Sequence, residues 1–352
     1  MSLAPPGSSG LPATGSSGLP AGQPLAGAVH CAGRATSVAV ATHPFGEVDD
    51  APLRLLREAG VELSLNPLRR KLRPDELAAF LARTRADAVI ASTERYDAAL
   101  LDQVPHLRLI ARTGIGLDNV DLDAARARGV AVTYTPEAPS DSAAELTVGL
   151  LLGLARHIAA ADRLVRQGRW ERKIGVLLKD RTVGIVGLGR IGTRVARLLR
   201  PFGCRLLATD IDPAASAHAA DLGVSLVALD DLLAAADAVT LHVPLTPLTR
   251  GLVDTPALAR LRRGALLVNT SRGEVLDEPA LLAALEAGHL GGAALDVFCE
   301  EPYQGPLAAR DDVLLTCHMG SCSDEGRRAM ELGAARAVVA LRRGEVLPGL
   351  VQ

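Results

Sequence analysis

Lysine is nearly missing from this 352-residue chain: Lys71, Lys173 and Lys179 stand alone among abundant arginines, a bias read as genome base composition rather than chemistry. No sign of charge dominates either. The formal net charge is −2, and the interspersed Arg, Asp and Glu leave no basic stripe that would neutralise a run of phosphates, which argues against nucleic acid as a partner. Cysteine is sparse: Cys31, Cys204, Cys299, Cys317 and Cys322 are odd in number, widely spread and without the CxxC pairs of a structural zinc site. No metal is expected, and reduced thiols in a cytoplasm are. There is no apolar run long enough to cross a membrane, and the N-terminus lacks the basic region and apolar stretch of a signal peptide. These absences predict a cytoplasmic protein that neither spans a membrane nor is exported.

What is present falls into three parts. Residues 1–35 are rich in Gly, Ser, Pro and Ala and repeat Gly7-Ser-Ser-Gly-Leu-Pro-Ala-Thr as Gly15-Ser-Ser-Gly-Leu-Pro-Ala-Gly. Such a composition buries too little to offset its ordering entropy, so a disordered tail is expected. From Thr36 short β-branched runs alternate with longer amphipathic stretches, the rhythm of a parallel sheet. Strands are expected at Ser37, Val61, Ala88, Leu109 and Val130, with helices from Ala51 to Gly60, Pro74 to Arg85 and Leu122 to Gly129. A long apolar helix from Ser142, continuing past His157 toward Gly168, leads out of this unit as a hinge. A second unit opens with Thr182-Val-Gly-Ile-Val and continues through strands near Arg205, Ala238, Ala265, Gly292 and Val313. A last helix, Asp324 to Gly344, is expected to cross back. The fold class is therefore α/β: two Rossmann-like or flavodoxin-like parallel-sheet domains with an active-site cleft between them. Residues 36–142 with 324–352 are expected to form one domain and 143–323 the other.

The strand ending at Val186 runs into Gly187-Leu-Gly-Arg-Ile-Gly192, followed by a helical pattern of Val195, Leu198 and Leu199. In this context Gly187 permits the tight turn, Gly189 the approach of backbone to a pyrophosphate, and Gly192 close helix packing. Asp210, at the end of the next strand, is placed to accept from both hydroxyls of an adenosine ribose. Ile211, Asp212 and Pro213 offer no cation for a 2′-phosphate, which favours NAD over NADP.

Three further motifs follow strands of the second unit, the edge where open α/β sheets place ligands. In Val268-Asn-Thr-Ser-Arg-Gly273 the cation Arg272 can grip a carboxylate bidentately. Asp296-Val-Phe-Cys-Glu-Glu-Pro302 supplies carboxylates, with Glu300 and Glu301 both open as candidates, and Thr316-Cys-His-Met-Gly320 supplies an imidazole. A carboxylate beside His318 would fix its ring and favour its protonated form, as an acid and base near neutral pH requires.

Together with Gly114-Ile-Gly-Leu-Asp-Asn-Val-Asp121, Ser142-Ala-Ala-Glu145 and Leu241-His-Val-Pro-Leu-Thr246, these segments resemble the D-isomer-specific 2-hydroxyacid dehydrogenases, over nearly all of the chain after the tail. The resemblance implies hydride transfer between NAD and C2 of a D-2-hydroxy or 2-oxo acid, with a 3-phosphoglycerate-like substrate among the candidates. It implies that Arg272 binds the substrate carboxylate and polarises the carbonyl, that His318 is the acid and base, and that Glu301, directly before proline, pairs with it. It implies that Asp296 accepts from the nicotinamide carboxamide, that Arg190 and Ile191 meet the pyrophosphate through their amides, and that Thr270 contacts the cofactor. The amides of Thr113, Gly114 and Ile115 would cradle the substrate carboxylate opposite Arg272, and a homodimer would form on the Ser142 to Gly168 region.

The chain departs from the family pattern at Cys317, usually a proline, at Ser321-Cys-Ser and at Pro139, often an asparagine. The selectivity stretches Ser92 to Tyr96 and Tyr134 to Ala138 carry no shared signature. The arginine that phosphoglycerate dehydrogenases tend to place after the third strand is replaced by Ala91-Ser-Thr93, although Arg95 lies nearby. Ile115 stands where phosphite dehydrogenases have lysine, and the asparagine and glutamine set of formate dehydrogenases is missing. The competing class is an NAD-sensing, corepressor-like binding protein without turnover, since such relatives can retain Arg272, Glu301 and His318.

Overall fold

The computed structural model of the chain describes residues 36–351, so the tail expected at residues 1–35 lies outside the described residues. The first sheet contains β1 (Ser37–Val40), β2 (Glu62–Leu65), β3 (Ala88–Ala91), β4 (Leu109–Arg112) and β5 (Ala131–Thr133), all parallel, in the order β2-β1-β3-β4-β5. Parallel neighbours need crossovers, and α1 (Ala51–Glu58), α2 (Pro74–Thr84), α3 (Ala98–Gln103) and α4 (Leu122–Ala127) provide them. Asp97 and Asp121 start α3 and α4 by accepting from Leu100 N at 3.0 Å and Ala124 N at 2.9 Å, the N-cap bond that leaves fewer orphan amides. Every residue of β3 and β4 is buried, as expected for strands covered by helices on both faces.

The chain then leaves through α5 (Ser140–Ala155) and α6 (Ile158–Arg166). The expected unbroken helix from Ser142 toward Gly168 is not formed: His157 takes a left-handed φ of 53° and α6 departs at 62° to α5. The Ala155 carbonyl, which a continuing helix would bond four residues on, instead accepts the amide of Val176 at 2.9 Å. Among the described residues no single helix is long and apolar enough to cross a membrane. The apolar length of α5 serves protein packing, with Leu151 fully buried against the second sheet.

That sheet comprises β6 (Thr182–Val186), β7 (Arg205–Thr209), β8 (Ser225–Leu226), β9 (Ala238–Leu241), β10 (Ala265–Asn269), β11 (Leu290–Leu295) and β12 (Val313–Leu315), in the order β12-β11-β10-β9-β6-β7-β8. Between them run α7 (Arg190–Leu199), α8 (Ala215–Leu222), α9 (Leu229–Ala235), α10 (Thr255–Arg260) and α11 (Glu278–Glu286). The two-residue edge strand β8 was not expected; both its residues are exposed, so no alternation betrays it. Strand order reverses between β6 and β9, where open α/β sheets leave a crevice. One face packs Val186, Leu207, Val239 and Leu267 under α9 to α11, and the other packs Val183, Ile185, Leu206 and Val268 under α5, α7 and α8. The fold class is the expected one, two parallel-sheet α/β units.

The last helix, α12 (Asp324–Arg343), is capped by Ser323 and packs on α1 and β4 of the first sheet. It carries a buried ion pair, Arg327 with Glu331 at 2.7 Å, which holds the loop after β1: Glu331 accepts from Gly46 N at 2.8 Å and Arg327 donates to the Pro44 carbonyl. Removing one member of a buried pair leaves the other uncompensated, so Glu331→Ala is expected to lower the unfolding free energy by about 3–5 kcal/mol in denaturant titration. A loss near zero would show that the pair contributes nothing.

Candidate active site

A cavity of about 1370 Å³ opens where the C-terminal edges of the two sheets face each other, and it is lined from one side by Ile115 and Gly116 and from the other by Gly189, Arg272, Asp296 and His318. At its dinucleotide end the chain leaves β6 at Gly187 with φ of 92°, in a space where a Cβ would lie 2.7 Å from the His242 carbonyl. A Cβ on Gly192 would lie 1.9 Å from the Gly187 carbonyl, whereas one on Gly189 would meet no atom within 4 Å. The loop is therefore closed by its first and third glycines and open at the second, the shape a pyrophosphate fits. Arg190, Ile191 and Gly192 begin α7, so their amides have no intrahelical acceptor and form an anion-binding end. The Asp210 carboxylate accepts from Leu188 N at 2.6 Å and Asp212 N at 2.8 Å, tying the phosphate loop to the end of β7. The Arg190 side chain turns away to pair with Glu137, whose carboxyl that hydrogen bond holds below its usual range. The hydroxyl of Thr270, expected at the cofactor, is engaged by Thr147 of α5 at 2.8 Å.

At the opposite wall, Asp296 is 1% exposed and sits just past β11. Its Oδ1 accepts from Thr316 Oγ1 at 2.6 Å and Met319 N at 2.8 Å, its Oδ2 from Gly320 N at 2.8 Å, and its carbonyl from His318 N at 2.8 Å. Those bonds hold His318 at a φ of 53°, a conformation that bulky residues rarely adopt and that often marks a functional position. The imidazole Nδ1 then lies 3.0 and 2.9 Å from the two Glu301 oxygens. Of the two candidate glutamates, Glu300 is exposed and Glu301 meets the ring. Burial pushes the Glu301 carboxyl up, but the His318 hydrogen bond and charge, the Phe298 amide and Lys71 outweigh it and hold the group below its usual range. An ionised carboxylate only accepts, so Nδ1 carries a proton and Nε2 is the nitrogen left for chemistry.

Arg272 reaches across to the first sheet. Its Nε donates to Asp118 at 3.0 Å and its Nη1 to the Ser271 carbonyl at 2.7 Å, and Nη2 fills the space a Cβ on Gly116 would need. Of the three amides expected to form a cradle, two are engaged within the chain. Thr113 N donates to the Ala91 carbonyl at 2.8 Å, continuing the pairing of β4 with β3, and Gly114 N donates to Thr135 Oγ1, just past β5, at 2.9 Å. Ile115 N and Gly116 N have no acceptor among the described residues. Sequence reasoning missed Asp118, which stands inside the quoted Gly114 to Asp121 motif, and His242. The ring nitrogens of His242 have no protein partner among the described residues, and burial pushes the imidazole down to about 3, so it is neutral at the cavity wall. No cluster of three or more His, Cys, Asp or Glu suited to a metal occurs among the described residues.

Residues 148–320 match the family described as D-isomer specific 2-hydroxyacid dehydrogenase, NAD binding domain. The chain is 43% identical over 284 residues to the D-3-phosphoglycerate dehydrogenase of Mycobacterium bovis, covering 79% of this chain but 53% of that relative, little more than half its length. It is 39% identical over 267 residues to the glyoxylate reductase of Thermofilum pendens, covering 74% and 79% of the two chains. Its structure matches the TT0316 protein of Thermus thermophilus with a TM-score of 0.81 at 35% identity, over 90% of this chain and all of that one (100%). The chain belongs to the D-isomer-specific 2-hydroxyacid dehydrogenase family.

As a member of that family it binds a nicotinamide cofactor on the second sheet, and the relatives' names, a dehydrogenase and a reductase, do not favour a sensor without turnover. The phosphate loop makes this testable. In Gly192→Ala the new methyl meets backbone, so α7 must move away from the loop. NADH affinity is expected to fall at least ~10-fold in fluorescence titration, about 1.4 kcal/mol; unchanged affinity would show that the close approach is dispensable.

Proposed function

We propose that this chain is an NAD-dependent D-2-hydroxyacid dehydrogenase that interconverts a small 2-hydroxy acid and its 2-oxo acid. The observation that carries the reading is the His318–Glu301 pair at 2.9 Å on one cavity with Arg272 and the open Ile115 and Gly116 amides. When bound, the cofactor supplies or accepts the hydride at C2. For reduction, His318 holds a proton at Nε2 and delivers it to the carbonyl oxygen; for oxidation, the neutral ring takes it back. Glu301 fixes the ring and offsets its charge. Arg272, released from Asp118, grips the carboxylate and stabilises the developing alkoxide. Asp296 holds the loop on which His318 stands and is the acceptor for the carboxamide. Ile211, Asp212 and Pro213 place no cation directly after Asp210 in the sequence, which favours NAD over NADP.

Residues 36–142 with 324–352 act as the substrate domain and 143–323 as the cofactor domain. They close about connections near Ser142 and Gly320 to Ser323 and so exclude water from the cavity. The relatives' names support both a 3-phosphoglycerate-like acid and glyoxylate as substrate classes, and a panel of 2-oxo acids with and without phosphate separates them. A cytoplasmic location and a homodimer complete the reading. The dimer is supported by an apolar surface after α5, with Ile158, Val165, Trp170, Ile174 and Leu177 between 56% and 94% exposed. Sedimentation at micromolar concentration should give a dimer and Trp170→Asp with Ile174→Asp a monomer; a monomeric wild type would remove the dimer.

His318→Ala should lower kcat about 10²–10⁴-fold with NADH affinity retained. Reductive turnover should fall and oxidative turnover rise as pH increases, because the first uses the imidazolium and the second the neutral ring. Glu301→Gln removes the carboxylate that favours the imidazolium, so the reductive limb should move to lower pH; a stationary limb would detach Glu301 from this role.

A further inference from the structure

Beside the Ile115–Gly116 turn lies a cation with no part in the mechanism above. Arg112, the last residue of β4, is 3% exposed, yet it reaches the cavity wall. Its Nε and Nη2 both donate to the Gly116 carbonyl, at 3.2 and 2.7 Å, and its buried Nη1 has no partner among the described residues. The same glycine is touched from the other side by Arg272 Nη2. Two guanidiniums thus hold Gly116 between them, one by its carbonyl and one against its Cα. The counter-charges are near: Asp118 pairs with Arg272, and Glu94, 3% exposed, stands close to Arg112 and accepts from Ser92 N at 2.8 Å.

Burying a charged group with one donor unmatched is costly, so its retention needs a reason beyond packing. The turn it grips contains Ile115 and Gly116, which line the cavity and whose amides have no acceptor among the described residues. We propose that Arg112 is a positioning residue for the carboxylate of the 2-oxo acid: it fixes the Ile115–Gly116 turn through the Gly116 carbonyl and adds a buried positive charge behind the cradle. Arg272 faces the carboxylate from the second sheet and Arg112 backs it from the first. Binding of the acid releases Asp118 from Arg272 while Arg112 keeps the turn from following.

This rests on the dehydrogenase reading, and one set of measurements separates the two. Oxamate, a non-reducible isostere of a 2-oxo acid, is titrated into the NADH complexes of the wild type, Arg112→Met and Arg112→Lys, and KM and kcat are measured on the best acid of the panel. The expected result is at least ~10-fold weaker oxamate binding and a matching rise in KM for Arg112→Met, with kcat within about threefold and NADH affinity unchanged. Arg112→Lys, which keeps charge but not the paired grip, should fall between. A variant that folds and binds NADH as the wild type does, but shows unaltered oxamate binding and KM, overturns the inference alone. So does loss of NADH binding in Arg112→Lys as well as Arg112→Met, which would make the residue a general structural support. A wild type that binds NADH yet neither binds oxamate nor reduces any acid overturns the dehydrogenase reading, and the inference with it.

Discussion

The acid–base chemistry proposed for this protein hangs on one buried carboxylate. Asp296 gathers Thr316, Met319 and Gly320 onto its side chain and His318 onto its carbonyl. Each such bond contributes about 0.5–1.5 kcal/mol net, so together they suffice to hold a histidine in a left-handed conformation that costs roughly 1–2 kcal/mol. Without that loop the imidazole would not face Glu301, because the two residues belong to different segments that only β11 and β12 bring side by side. The carboxylate that resemblance assigns to the cofactor is in this structure first a brace for the loop that carries His318.

The other wall is built on the same logic with signs reversed. Arg272 and Arg112 converge on Gly116, and their charge is balanced by Asp118 and Glu94 rather than dispersed into solvent. Burial and the neighbouring Arg272 push the Arg112 guanidinium down to about 10, which still leaves it charged at neutral pH. A cavity walled by positive groups on one side and by a histidine–carboxylate pair on the other suits a small anion whose oxygen must be protonated as it is reduced. The polarity of the site is thus set by groups outside direct reach of the substrate as well as by those facing it.

The periodicity of β-branched runs made both sheets legible, and the Gly187 to Gly192 motif located the strand–turn–helix proposed to bind a dinucleotide. It did so because close backbone approach can be read from glycine alone. Glu300 and Glu301 could not be separated by residue type; the fold exposes one and turns the other to His318. The break between α5 and α6 was hidden because its cause, the return of Val176 onto the Ala155 carbonyl, lies some twenty residues away. The same holds for the cradle. Nothing in Thr113-Gly114-Ile115 reveals that the first two amides are still occupied, by Ala91 and Thr135, and that the third is open.

Local spacing and residue chemistry were enough to specify the class of fold, the family and a nicotinamide cofactor, and to nominate the acid–base and carboxylate-binding residues. Tertiary structure alone decided which donors are free, which charges are balanced and which side chains brace others: Thr270 against Thr147, Arg272 against Asp118, Arg112 against Gly116. The physical reason is that a hydrogen-bonding group is available to a ligand only when no other part of the chain has reached it first, and the partners concerned lie on other strands and helices.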